Sequence, residues 1–248
     1  MANHRRFFID PKQISGDEAV ITGEIAHQIR TVLRLKVGDT IGLLDGSGAE
    51  YEARIASLSK SEVTATIVGT SPCASESAAP LTLAVCLPKA GKLELIVGKC
   101  TELGISNMLL VCSERSVPRI EPAKAANRLA RLQRIAVEAA EQSGRGLYPD
   151  ISGIIDFADL PAHIAEHELA LLAWEDESRT TLKQALREHA GARSVMLIIG
   201  PEGGLTRQEA QLARDAGAKC VTLGKRTLRC ETAAIAACAA GMYELETP

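Results

Sequence analysis

Two stretches near the carboxyl terminus hold most of the chemistry open to this sequence. L-I-I-G-P-E-G-G-L-T, from Leu197 to Thr206, runs from an apolar strand through three glycines and a proline into a helix start. L-G-K-R-T-L-R-C-E, from Leu223 to Glu231, leaves a second short apolar run. A glycine has no Cβ, so such a turn tolerates positive φ and lets backbone amides touch a ligand directly. Neither stretch matches the dinucleotide fingerprint G-x-G-x-x-G or the phosphate loop G-x-x-x-x-G-K-[ST]. Ligands of open α/β sheets settle beyond the carboxyl ends of the strands, so the two loops can share one site. Plain tight turns are the alternative. A phosphate ligand calls for Lys or Arg on the loop, facing a helix N-terminus. The first loop carries Glu202 instead, which favours a neutral or cationic ligand. S-adenosylmethionine, with a positive sulfonium and no phosphate, has that character. A Rossmann-type methyltransferase places its glycine motif after the first strand of the domain. The late position of these loops disfavours that version.

A second cluster is basic. Between Arg115 and Arg134, six cations (Arg115, Arg119, Lys124, Arg128, Arg131, Arg134) face the single acid Glu121. Arg128, Arg131 and Arg134 recur every third residue, on one side of a helix. Contact with phosphates is the sharper reading and a solvated helix face the plainer one. Arg5, Arg6, Arg30 and Arg34 add positive charge near the amino terminus. Only Phe7, Phe8 and Tyr51 are aromatic there, which argues for reading nucleic-acid shape and phosphates over stacking a row of bases.

Bulk composition narrows the class. The 248 residues, 46% apolar and 24% charged, suit a globular chain of one large or two modest domains. A net charge of −3 gives no global signal for nucleic acid, so such a partner has to meet a local patch. The seven cysteines form no C-x-x-C pair and several sit among apolar neighbours. They read as buried thiols, with neither a disulfide framework nor a metal site. The start, M-A-N-H-R-R-F-F-I-D, lacks the apolar run of a signal peptide, and no run reaches membrane-spanning length. A cytoplasmic protein is expected.

The elements that must position these residues fall into two groups. Before residue 72, short strands are expected over Arg5–Ile9, Ala19–Ile21, Thr40–Asp45, Ala49–Ala56 and Val63–Val68. One helix between them places Ile25, Ile29, Val32 and Leu33 on a common face. Residues 73–80, rich in Ser, Ala and Pro, are the linker. From residue 81 to 248, strands alternate with helices. Strands are expected at Leu81–Leu87, Asn107–Cys112, Glu168–Trp174, Ser194–Ile199 and Cys220–Leu223. Helices are expected from Leu93 to Gly104, Pro122 to Gly144, Thr181 to His189 and Thr232 to Leu245. T-R-Q-E at 206–209 is a capping box for a helix turning Leu212, Ala213 and Ala216 inward. The expected fold is α/β: a small β-module of residues 1–72, then a mostly parallel sheet covered by helices.

At this point the sequence resembles a known family. The two glycine motifs are similar to those of bacterial methyltransferases that act on N3 of a uridine in small-subunit ribosomal RNA, members of the SPOUT superfamily. R-R-F-F-I, H-Q-I-R-T-V-L-R-L-K-V-G-D, P-K-A-G-K-L-E-L-I-V-G-K-C-T-E-L-G-I, S-E-R-S and R-I-A-V-E-A-A-E-Q-S-G-R extend the likeness over nearly the whole chain. It implies a PUA-like β-barrel that binds RNA, a trefoil-knotted catalytic domain, S-adenosylmethionine as methyl donor, and a homodimer joined through the last helix. It also implies cofactor contacts at Gly200, Glu202, Gly203, Leu223, Gly224, Leu228 and Arg229, with Leu172 at a third strand end. Lys89 and Arg145 join the RNA-facing set. Lys225-Arg226 and Cys230 stand where the family pattern has Pro-Arg and Thr, and neither departure removes a glycine or Arg229.

Methylation at N3 requires loss of the imide proton, with negative charge spreading over N3 and the flanking carbonyl oxygens. Arginine cannot accept that proton, so Arg229 is the candidate for stabilising the charge or positioning the base. Glu202 and Glu231 are the candidate acceptors, directly or through water. A helix-start role for Glu231 is the alternative. His27 reads as structural or RNA-facing before catalytic. Two rivals remain: a SPOUT ribose 2′-O-methyltransferase, and an RNA-binding ribosome assembly factor without catalysis.

Overall fold

The structure, a computed structural model, describes residues 5–73, 75–76, 80–89, 91–117 and 122–246. Its contacts divide the chain into two units, Met1–Glu76 with Ala140–Tyr148, and Ser77–Ala139 with Pro149–Pro248.

The first unit is a six-stranded sheet. β1 (Arg6–Phe8), β2 (Ile14–Ser15) and β3 (Glu18–Thr22) precede a short helix α1 (Gly23–His27). β4 (Thr40–Leu44), β5 (Ala49–Leu58) and β6 (Glu62–Pro72) come after it. The order is β1-β4-β5-β6-β3-β2, with β1 parallel to β4 and the other pairs antiparallel. Alternation with period two sends Ala19, Ile21, Ala53, Ile55, Val63 and Ala65 to one face. There they pack with Phe7, Ile41, Leu43 and Ile29. Each fully buried Ile, Leu or Phe stabilises the unit by about 1.5–3 kcal/mol.

The expected helical face of Ile25, Ile29, Val32 and Leu33 needs correction. After α1 the chain passes through one π turn over Gln28–Val32, in which the Leu33 N–H donates to the carbonyl of Gln28 at 2.9 Å. The wider turn shifts the phase of the residues beyond Gln28. Ile29 stays buried, while Val32 is 65% exposed.

The second unit is a parallel α/β sheet. β7 (Leu81–Cys86), α2 (Lys92–Glu102), β8 (Asn107–Cys112), α3 (Pro122–Ser143), β9 (Asp150–Asp156) and α4 (Leu160–Ala165) form its first half. β10 (Leu169–Ala173), α5 (Leu182–Glu188), β11 (Val195–Ile199), α6 (Arg207–Asp215), β12 (Lys219–Val221) and α7 (Cys230–Leu245) complete it. β9 and α4 lie outside the elements expected from the sequence. The strand order is β12-β10-β11-β7-β8-β9, all parallel.

Strands covered on both faces read as continuous apolar runs. Leu81, Leu83, Val85, Leu171, Leu197 and Ile199 enter one core with α2, α5 and α7. Ala84, Cys86, Leu172, Met196 and Ile198 enter a second core with α4 and α6. α7 lies directly on the sheet at Gly241, where even a Cβ would make ordinary contact, 3.4 Å from Leu81 Cδ2 and 3.5 Å from Leu197 Cδ1. α7 is buried on one side only, with Ala234, Cys238 and Met242 inward and Tyr243 73% exposed. On α6 the inward residues are Ala210 and Ala213, while Leu212 is 39% exposed, against the sequence expectation.

Helix stops coincide with the glycines. Gly104, at φ +101°, donates to the Thr101 carbonyl and Ile105 to that of Cys100, closing α2. Gly144 at φ +77° closes α3 in the same way, with Arg145 N–H donating to the Ala140 carbonyl at 2.9 Å. The segment after it holds to the first unit. Buried Arg145 pairs through Nη2 with Glu76 Oε2 at 2.7 Å, and Glu76 Oε1 accepts the Gly146 and Leu147 N–H groups. Arg145 is 3% exposed, which corrects its expected place on an RNA-facing surface.

Candidate active site

The parallel strand order brings three loops together at the carboxyl ends of β10, β11 and β12. Backbone bonds tie them: Leu182 N–H donates to Thr222 O, Thr222 N–H to Thr180 O, and Trp174 N–H to Val221 O. A cavity of about 520 Å3 opens among them. Ala173, Trp174 and Glu175 line it from the end of β10 onward, residues 199–204 from the end of β11, and residues 222–230 after β12.

Of the cofactor residues expected from the sequence, Gly200, Glu202, Gly203, Leu223, Gly224, Leu228 and Arg229 all border this cavity. Leu172 does not. It is fully buried in the second core, in register with Ile198 and Cys220, one residue short of the strand end. Ala173 and Trp174 take the place assigned to it.

Each glycine has its own physical reason. Gly204 stands at φ +68°, and a Cβ there would run into the Glu175 carboxylate. Gly224 stands at φ +121° with open space around it, so backbone conformation alone requires it. At Gly203 a Cβ would lie 3.2 Å from Arg115 Cβ, while Arg115 Nη1 donates to the Gly203 carbonyl at 2.9 Å. Arg115 is therefore a brace for the first glycine loop.

Capping fixes where that loop ends. Thr206 Oγ1 accepts the Glu209 N–H, and Glu209 Oε2 accepts the Thr206 N–H at 2.8 Å. Buried Glu209 also accepts the Glu114 N–H through Oε1 at 2.8 Å. The capping box visible in the sequence thus anchors the loop after β8 as well.

The feature that sequence reasoning missed is Lys92, in the first turn of α2. Its Nζ lies 3.1 Å from Glu202 Oε1 and 3.0 Å from Glu231 Oε2, joining two loops far apart in sequence. Glu202 Oε1 also accepts the Lys89 N–H at 3.0 Å. The only signal was P-K-A-G-K, where a second lysine comes after a glycine at the start of a helix. Hydrogen bonds to Glu231 and Glu202 raise the Lys92 ammonium above its ordinary range. Burial pushes the Glu202 carboxyl upward, but N–H groups and Lys92 outweigh it and hold the group below the usual range. Glu231 is lowered by its own backbone N–H and by Lys92. All three groups are charged at neutral pH. Glu231 stands outside the cavity lining, in the first turn of α7, where a carboxylate complements the helix dipole. Cys230 borders the cavity as a neutral thiol, pushed up to about 12 by burial and by Glu202 and Glu231.

Trp174, the single tryptophan, borders the cavity with the Arg214 guanidinium 4.6 Å from its ring centroid. Arg214 Nε also donates to Cys220 Sγ at 3.0 Å. The ring is thereby held at the strand end.

The expected RNA-facing residues divide. Arg5, Arg34, Lys89, Arg131 and Arg134 are exposed and Arg128 is half-buried. Arg30 is spent on the carbonyls of Ser59 and Lys60. Arg6 is spent on Glu50, at 2.8 Å, and on the Gly144 carbonyl. Arg119 lies outside the described residues. His27 is exposed, with Nδ1 3.4 Å from Thr31 Oγ1. Among the described residues no group of three or more His, Cys, Asp or Glu is placed to hold a metal. Among them, too, no helix is long and apolar enough to cross a membrane.

A parallel sheet with glycine loops and a cavity at its carboxyl edge, preceded by a small β-unit, defines a class. Residues 75–242 match the model of an RNA methyltransferase domain, and residues 21–68 that of an RNA methyltransferase PUA domain. The Ribosomal RNA small subunit methyltransferase E of Synechocystis sp. is 36% identical, with 92% of this chain and 74% of that protein aligned. Its namesake in Bacillus subtilis is 32% identical over 98% of this chain and 97% of its own length. The chain belongs to the family of ribosomal RNA small subunit methyltransferase E. A Neisseria gonorrhoeae member, solved bound to S-adenosylmethionine, superposes with a TM-score of 0.85 at 32% identity, covering 96% of both chains.

Proposed function

We propose that this chain transfers a methyl group from S-adenosylmethionine to N3 of a uridine in small-subunit ribosomal RNA. The observation that carries the proposal is the shared cavity formed by both glycine loops at the carboxyl edge of a parallel sheet. Its volume of about 520 Å3 falls in the range of small-molecule sites. The Glu175 and Glu202 carboxylates on its wall suit a cation. When bound, the cofactor supplies an electrophilic methyl on a sulfonium.

The chain's own residues do the rest. Gly203, Gly204 and Gly224 bring backbone to the cavity, and the main-chain groups of Leu223, Thr227 and Leu228 offer donors and acceptors. Glu202 is the candidate carboxylate that borders the cavity, and it accepts the N3 proton in this reading. Held ionised by Lys92, it is a weak base, so the proton must be made easier to lose. Arg229 does this by stabilising the anion on the uracil carbonyl oxygens, bringing the two proton affinities closer. Glu231 fixes Lys92 and starts α7. The first unit binds RNA, and the homodimer and a cytoplasmic location belong to the same proposal.

The test is incubation with labelled S-adenosylmethionine and undermethylated small ribosomal subunits, then mapping of the modified nucleoside. Label in 3-methyluridine is the expected result. Label in a 2′-O-methyl nucleoside supports the ribose rival, and no transfer supports a non-catalytic assembly factor.

A further inference from the structure

The cavity is electrically two-sided. Glu175 and Glu202 come from the loops after β10 and β11, while Lys225, Arg226 and Arg229 all come from the loop after β12. All three cations are exposed. Lys225 and Arg226 have no hydrogen-bonding or ion-pair partner among the described residues. Arg229 acts through space on Glu231, lowering its proton affinity. Three cations on one loop repel one another, whereas Lys92 is matched by two carboxylates.

The methyl donor does not account for this wall. It carries a sulfonium and an ammonium against one carboxylate, so it uses at most one of the three positive groups. A polyanion accounts for the remainder. The nucleotide that reaches the cavity arrives with phosphates on both sides, and each needs a counter-charge where water is displaced. Lysine serves as a point charge, and arginine adds a planar fork that suits phosphate oxygens.

We propose that Lys225 and Arg226 form an RNA-phosphate subsite on the rim of the cavity, holding the backbone that flanks the target nucleotide. The site belongs to the second unit alone and is separate from the cations of α3. It deepens the methyltransferase reading and rests on it for the identity of the polyanion.

The experiment compares the native chain with a variant carrying Lys225→Gln and Arg226→Gln. Binding to an unmodified small-subunit rRNA transcript is measured across a salt series, and S-adenosylmethionine affinity by calorimetry. A control carrying Lys183→Gln and Arg187→Gln removes the same charge from the surface of α5. The double variant should bind RNA about tenfold more weakly, with the slope of log affinity on log salt reduced by about 1.4, the figure for two single-strand phosphate contacts. Cofactor affinity should hold, and the control should match the native chain. Unchanged RNA affinity and slope would overturn the subsite, as would an equal loss in the control. So would a loss of cofactor affinity in the double variant. The comparison stands on RNA binding alone, so absent methyl transfer by the native chain counts against the functional reading and leaves this result standing.

Discussion

Lys92 is the side chain on which the two glutamates converge, and it governs how readily either takes a proton. With Lys92→Met, both carboxylates lose their nearest cation and their proton affinities rise. Activity that needs them ionised should then fail at higher pH than in the native protein. The acid limb of the kcat/KM profile is expected to move upward, and Lys92→Arg should return it most of the way. An acid limb that stays in place would mean the lysine only tethers the loops. Gly203 teaches a related point. Its missing Cβ makes room for the Arg115 side chain, where the sequence suggests room for a ligand.

Among elements, the end of α3 shows how a buried ion pair replaces apolar packing. Gly144 stops the helix, and Arg145 turns inward to Glu76, whose other oxygen collects two backbone N–H groups. Burial works against ionising Glu76, but Arg145 and those N–H groups prevail and lower its proton affinity. Arg145→Ala strands that carboxylate and should cost about 3–5 kcal/mol in urea unfolding near neutral pH. The pH dependence has a definite sign. A depressed folded value means the stabilisation is present above the unfolded carboxylate value of about 4.3 and fades as pH falls through the folded one. The native protein should lose this increment in acid, and the variant should lose less, since only the two backbone N–H groups still favour the ionised carboxylate.

For the whole molecule, the net charge of −3 is no guide to local charge, as the exposed Arg131 and Arg134 of α3 show. Arg131 on α3 is 72% exposed on its side chain and, among the described residues, makes a long contact of 3.7 Å to Glu94. Such a surface pair contributes close to nothing to stability. Arg131→Glu should therefore leave the melting temperature and cofactor affinity alone. RNA affinity should drop several-fold, most clearly at low salt. Equal RNA affinity across a salt titration would remove α3 from the RNA-binding surface.

Much was legible from local pattern. Apolar runs, glycine stops and the capping box each act through near neighbours, so strands such as Asn107–Cys112 and the cap at Thr206 are set by a few adjacent residues. The glycine loops announced a site for the same reason, since a positive φ is a property of one residue. What tertiary structure decided depends on groups distant in sequence. Arg145 and Arg128 were both expected to face RNA, yet one is sealed against Glu76 and the other half-buried on a helix. Leu172 misses the cavity because strand register ends one residue later. Lys92 joins Glu202 and Glu231 only because β7 and β11 are neighbours in the sheet and α7 starts beside them. A residue's type sets what chemistry it can do, and the packing of remote strands sets whether a partner stands within 3 or 4 Å to do it with.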